Sequence, residues 1–186
     1  GTIPDHAKKV FEGVIFDVYQ WEQKLYDGST TTFEMLKRPS TAEVIATKDG
    51  KIMLQDQEQP NKPRFLSLPG GRIEKGEDPL EGAKRELLEE SGFASDQWGI
   101  YHSVEPTSKL DWEIYVYIAQ NCAFVQEMEL DGGEKIEIKW VTFDEFLELI
   151  DNGQLVWIEQ NLRMQCIRAK YHDPSKEELR KIIFGG

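Results

Sequence analysis

The chain is short of the residues on which several kinds of function depend. It has two cysteines, Cys122 and Cys166, among 186 residues. No pattern surrounds them, which excludes a disulfide framework and a thiolate metal cluster and leaves buried thiols in a reducing compartment as the expectation. Three histidines, His6, His102 and His172, stand at no metal-ligand spacing and suit surface or packing roles. Cations are outnumbered: 22 Lys and Arg face 34 Asp and Glu, for a net charge of −12. That balance excludes a general nucleic-acid binder, because phosphate backbones demand clustered Lys and Arg. No apolar run is long enough to cross a membrane, and no secretory leader is expected. Cytoplasm is the default location.

What is present is enough for a core. Hydrophobic residues make up 39% of the chain, with five Trp, six Tyr and nine Phe. The length suits one domain of average size, or one with a small appendage. Residues 9–23 are rich in Val, Ile, Phe, Tyr and Trp and read as a long strand or bent hairpin arm. Asp27-Gly28-Ser29 marks a turn, and residues 30–39 read as the return strand. AEVIAT and KIMLQDQ flank Lys48-Asp49-Gly50, a strong hairpin signal. Residues 98–105 and 112–120 are expected strands, and EKIEIKWVT is the last confident one. FDEFLELIDNG reads as a helix stopped by Gly153. LVWIEQNLRMQCIRAKY reads as a second helix whose apolar face holds Trp157, Ile158, Leu162 and Ile167, and residues 174–184 as a short third. A mixed sheet between helices, an α/β/α sandwich, fits this order. Residues 1–40 divide off as an N-terminal strand element and 41–186 as the main domain.

The chemistry concentrates between Gly71 and Phe93, GRIEKGEDPLEGAKRELLEESGF. Asp78-Pro79 is a helix start, since aspartate caps free N–H groups and proline tolerates the first helical position. Leu80, Ala83 and Leu87 recur at helical spacing and can pack inward. Glu86, Glu89 and Glu90 then stand at i, i+3 and i+4 on a common face. Such carboxylates repel by roughly 0.2–0.5 kcal/mol per exposed pair. A hard divalent cation such as Mg²⁺ or Mn²⁺ removes the repulsion and prefers oxygen ligands. Alone, Glu-x-x-Glu-Glu is usually an acidic, solvated helix face. Gly71, Glu77, Arg85 and Gly92 at fixed offsets reverse that reading.

This spacing resembles the signature box of the Nudix hydrolases. The resemblance implies a Nudix-type α/β/α sandwich that cleaves a nucleoside diphosphate linked to another group, with divalent metal. It implies Glu86 and Glu90 as primary metal ligands, Glu89 as a ligand or water-orienting group, and the Gly70 carbonyl as a further ligand. Glu77 and Arg85 are implied as a structural pair tying loop to helix. The N-terminal strand pair resembles that of the ADP-ribose and nucleotide-sugar branch, where it helps form dimers, so a homodimer is implied.

In that branch a loop glutamate approaches the catalytic water. Glu134, in the Gly132-Gly133-Glu134 loop, is the matching candidate, with Glu129 and Asp131 as alternatives and Glu89 as the second choice of base. Pro106, soon after the box, resembles a loop proline of the same branch. The branch also has Gln-aromatic-Arg after the strand that here reads Gln57-Glu58-Gln59, without the arginine. That departure argues against ADP-ribose itself; Arg38 or Arg64 are the substitute phosphate contacts, and Gln57 a substrate contact. Tyr19, Trp21, Tyr26 and Phe33 are candidates for stacking a base, across a subunit boundary or within one chain.

The expected function is metal-dependent hydrolysis of ADP-ribose or a nucleotide sugar to a nucleoside monophosphate and a sugar phosphate. A nucleotide-linked small molecule is the partner, not nucleic acid or membrane. Alternatives are a nucleoside triphosphate pyrophosphohydrolase, a non-catalytic nucleotide sensor of Nudix type and a passive acidic cation-binding protein.

Overall fold

The computed structural model describes residues 2–186. In chain order the first strands are β1 (Lys8–Glu12), β2 (Asp17–Lys24), β3 (Thr30–Lys37), β4 (Thr41–Lys48), β5 (Lys51–Gln59), β6 (Lys62–Ser67) and β7 (Gly70–Arg72). Helix α1 (Pro79–Ser91) follows. After it come β8 (Phe93–Ala94), β9 (Gln97–Val104), β10 (Leu110–Asp111), β11 (Ile114–Gln120), β12 (Ala123–Phe124) and β13 (Lys135–Thr142). Three helices close the chain: α2 (Phe143–Asp151), α3 (Gln160–Tyr171) and α4 (Asp173–Phe184).

The expected N-terminal arm is bent. Gly13 N–H bonds the Phe16 carbonyl at 2.9 Å, which breaks the stretch into β1 and β2. The Asp27 carboxylate accepts from the Ser29 N–H and hydroxyl, closing the turn into β3. β3 then pairs in parallel with β10, so this four-stranded sheet, β1-β2-β3-β10, is stitched to the rest of the chain.

The larger sheet runs β13-β5-β4-β11-β9, with β6 on β5 and β7 on β4. Its first hairpin turns at Asp49 (φ 50°) and Gly50 (φ 74°), the two left-handed positions that a type I′ turn requires. β4 and β5 pair only near that tip, at Thr47↔Ile52 and Lys48↔Lys51. Beyond it β6 follows β5 and β7 follows β4, so the chain enters the split between them. The Val44 N–H takes the Pro69 carbonyl at 2.9 Å and fixes the turn in the opening.

Side chains alternate across a strand, so each central strand feeds two layers. Ala42, Val44 and Ala46 face α1 through Ala83 and Leu87. Ile45, Ile52 and Leu54 face the helices α2, α3 and α4 through Phe146, Leu162, Cys166 and Ile183. The sandwich is therefore α/β/α as expected. Cys122 and Cys166 are both buried and free, one in each layer.

One helix begins later than its apolar spacing suggests. Residues 155–159 are not helical; α3 starts at Gln160, capped by the Glu159 carboxylate on the Asn161 and Leu162 N–H groups. Trp157 bridges Ser67 in parallel instead, and the Arg163 guanidinium donates to the Leu155 and Val156 carbonyls. These tertiary bonds satisfy backbone groups that a further helical turn would have used, and they win over local periodicity.

Gly92 ends α1 in the left-handed region at φ 77°, its N–H on the Leu88 carbonyl. A Cβ there would lie 1.9 Å from the Gln126 carbonyl oxygen. Gly92→Ala should therefore destabilise the fold by more than about 1 kcal/mol. Urea unfolding of the two proteins checks this; equal midpoints would show that the cap is not constrained.

Candidate active site

Helix α1 starts as its sequence dictates. The Asp78 carboxylate accepts from the Leu80 and Glu81 N–H groups, and Pro79 occupies the first helical position. The buried face of Gly82, Ala83 and Leu87 turns the acidic residues toward the β6–β7 turn. Arg85 locks this register. Its Nε donates to Glu77 at 2.8 Å and its Nη2 to the other Glu77 oxygen at 3.0 Å, a two-pronged ion pair that also reaches the Arg72 carbonyl at 3.0 Å. The guanidinium holds the Glu77 carboxyl below its ordinary value. Its remaining nitrogen reaches Glu86 at 3.1 Å and Glu89 at 3.2 Å.

Glu90 is buried at the base of the site. One of its oxygens accepts from the Gly70 N–H at 3.0 Å and the Gln55 side-chain amide at 2.8 Å. Gln55 is a residue that sequence reasoning passed over. Its signal was a polar side chain directly after the apolar run Ile52-Met53-Leu54, and it is fully buried. Glu86 packs against Gly71 so closely that a Cβ there would stand 2.6–2.7 Å from its carboxyl atoms. Any side chain at position 71 would push that carboxylate away.

Burial sets the electrostatics. It pushes Glu90 up to about 8 against its bonds from Gly70 and Gln55, with Glu86 and Glu134 adding repulsion. It pushes Glu86 up to about 7 despite Arg85, with Glu89 and Glu134 adding to the rise. A third carboxyl in the cleft, Glu43 on β4, is raised to about 7 by burial although it accepts from the Glu159 N–H at 3.0 Å. Glu43 too was missed, because a lone Glu in an apolar strand carries no motif.

One open cleft of about 1090 Å³ gathers most of the sequence candidates: Gly70, Gly71, Arg85, Glu86, Glu89 and Glu90 line it. Glu134 joins them from the 131–134 turn, its carboxylate on the Asp131 N–H at 3.1 Å; Glu129 and Asp131 also line the cleft. Gln57 is buried in its wall and donates to the Ser67 hydroxyl at 2.5 Å. Arg38 reaches in with its guanidinium 4.7 Å from the Trp112 ring centre.

Others stand apart. Arg64 is held by Asp56, Glu58 and Glu137 on the face of the sheet and is not in the lining. Trp21 packs edge-on against Phe33 at 5.9 Å in the N-terminal sheet, likewise outside the lining of its own chain. Pro106 sits in an exposed loop beyond it.

Residues 36–160 match the model of the NUDIX domain, well over half of the chain. The chain belongs to the NUDIX family. Among similar proteins, the ADP-ribose pyrophosphatase of Bacillus subtilis (strain 168) is 28% identical over 167 residues, covering 88% of this chain and 90% of that one. The methanol dehydrogenase activator of Bacillus methanolicus is 31% identical over 154 residues, covering 80% and 83%. A crystal structure of an ADP compounds hydrolase superposes with a TM-score of 0.73 over 95% of both chains; at 18% identity that likeness concerns the fold.

A Nudix hydrolase works with divalent metal, and the residues here fit one. The candidate donors, three carboxylates and a main-chain carbonyl, are all oxygen, as hard cations prefer. The fold also gathers Glu86, Glu89, Glu90 and Glu134 around one guanidinium, that of Arg85, in the cleft. Among the described residues no three acidic, His or Cys groups converge on one point as they stand. Arg85 draws Glu86 and Glu89 to itself, while Gln55 and Gly70 hold Glu90.

The raised carboxyls give a pH prediction with a definite sign. Their ordinary value is 4.5. The folded state holds protons that the unfolded state has released, so stability of metal-free protein falls as pH rises from that value through about 7 and 8. In EDTA, the thermal midpoint should drop between pH 5 and roughly pH 8.5, and divalent metal should restore it at the alkaline end. Glu90→Gln, whose amide oxygen can keep both bonds, should flatten the slope. A midpoint that climbs over this range would refute the burial argument.

Proposed function

We propose that the protein hydrolyses the pyrophosphate bond of ADP-ribose or a nucleotide sugar, using Mg²⁺ with Mn²⁺ as a substitute, to a nucleoside monophosphate and a sugar phosphate. The observation that carries this is the meeting of Glu86, Glu89, Glu90, Gly70 and Glu134 in one cleft. The near full-length likeness to an ADP-ribose pyrophosphatase supports the substrate class and outweighs the missing arginine after Gln57. Arg38 lies in the cleft, so the phosphate contact falls to it rather than to Arg64.

Glu86, Glu90 and the Gly70 carbonyl would hold the metal, and Glu89 would be a ligand or orient water. The chemistry that a bound divalent cation supplies is neutralisation of diphosphate charge and acidification of a water. Water attacks one phosphorus in line, a new P–O bond forms, and the bridging P–O bond breaks to release the phosphomonoester leaving group. Glu134 takes the proton from the attacking water, with Glu89 as the second choice of base. The exposed apolar residues of β1 and its following bend, Phe11, Val14 and Phe16 among them, suit a homodimer contact. The surrounding compartment is the cytoplasm.

The test is a panel of ADP-ribose, nucleotide sugars, dinucleotides and nucleoside triphosphates with Mg²⁺ and Mn²⁺, read as released monophosphate or pyrophosphate. Pyrophosphate from triphosphates alone would move the assignment to the triphosphate branch. Glu90→Gln should lower kcat by two or more orders of magnitude, on the order of what loss of a charge-stabilising group costs. Unchanged turnover in that variant would end the metal assignment.

A further inference from the structure

The loop that carries Glu134 leaves and re-enters the fold beside one aromatic residue. Phe93, which follows the cap of α1, meets Phe124 of β12 edge-on at 5.7 Å between ring centres and Trp140 of β13 edge-on at 5.3 Å. Phe124 precedes the loop of residues 125–134, and Trp140 follows it. Phe124 is 55% exposed, so burial does not account for its place. Its ring lies over Gly92, where a Cβ would stand 3.1 Å from it. Main-chain bonds extend this attachment onto the end of α1, where carbonyls lack partners within the helix. The Gly92 carbonyl accepts from the Val125 N–H at 2.8 Å and the Gln126 N–H at 3.3 Å, and the Glu89 carbonyl from the Glu129 N–H at 2.7 Å. The Gln126 side-chain amide donates to the Glu129 carboxylate at 3.1 Å. Beyond Glu129 lies the 131–134 turn, closed by the Glu134 N–H on the Asp131 carbonyl at 2.9 Å.

We infer that Phe124 is a positioning residue for the general base. Its ring, held on Phe93 and Gly92, keeps the loop seated on the end of α1, so that Glu134 and the acidic helix stay in one register. The inference rests on the assignment of Glu134 proposed above and adds the side chain that places it. A base acts only within hydrogen-bond reach of the proton it takes, and small misplacements cost rate steeply. Phe124 lies outside the cleft lining and touches no reacting atom. The carboxylate at the base of the site does not depend on this contact, since Gly70 and Gln55 hold Glu90. Loss of the ring therefore acts on turnover and spares metal and substrate binding.

A double-mutant cycle and one amide decide this. In hydrolysis of ADP-ribose with Mg²⁺, Glu134→Gln should lower kcat by about 10²- to 10⁴-fold, the range that a positioned base gives. Phe124→Ala should lower kcat by about 10- to 100-fold, as a misplacement of about an ångström does. KM and the Mg²⁺ concentration for half-maximal rate should not change, and Phe124→Tyr, which keeps the ring, should restore kcat. Added to Glu134→Gln, Phe124→Ala should cost nothing further, because groups that act as a unit are not additive. The Glu129 amide, followed by NMR, should exchange with solvent faster in Phe124→Ala than in wild type. A loss that multiplies in the double variant, or unchanged exchange at Glu129, would overturn the inference. Wild-type kcat in Phe124→Ala beside an inactive Glu134→Gln would overturn it too, and would leave the hydrolase reading standing. Wild-type kcat in Glu134→Gln would instead sink the base assignment, and the role of Phe124 with it.

Discussion

Arg85 is the interaction on which the site depends. Its guanidinium ties the loop before α1 to the helix through Glu77 and the Arg72 carbonyl, while its free edge reaches the carboxylates of Glu86 and Glu89. A helix that carried those acids without Arg85 would repel its own loop. With it, the acidic face can be pressed into a partly buried cleft, where fixed charges act more strongly than in water. The cation both assembles the box and occupies part of the space that metal chemistry needs.

The second constraint is the split in the large sheet. β4 and β5 part beyond their hairpin tip, and the β6–β7 turn fills the gap with Pro69 and the paired glycines. That opening presents the Gly70 N–H to Glu90 and lets Glu86 lie against Gly71. Gln55, a side chain from the floor of the split, adds a second donor to Glu90. An ordinary continuous sheet would offer neither the main-chain groups nor the room. The backbone geometry of the turn and the acidic helix thus make one unit.

Local signals were legible wherever a residue acts through its near neighbours. Asp78-Pro79 starts a helix, Gly92 ends it, and Asp49-Gly50 turns a hairpin, because each works over a few residues of backbone. The same reasoning failed at residues 155–159. Their apolar spacing is helical, yet Ser67, distant in sequence, bridges Trp157, and the Arg163 side chain takes the Leu155 and Val156 carbonyls. Arg64 and Arg38 are equal candidates as isolated cations; folding places Arg38 in the cleft lining and leaves Arg64 outside it, paired with three acids.

The amino-acid order by itself determined the box, its helix, its caps and the hard-oxygen character of the donors, since these follow from spacing along one chain segment. Tertiary structure alone decided that Gln55 supports Glu90 from beneath, that Glu43 lines the cleft, that Glu134 comes within electrostatic reach of Glu86 and Glu90, and that Trp157 stays exposed at its edge. Those relations join segments far apart in sequence. No periodicity encodes them, because they arise only when strands pair and the helices close over the sheet.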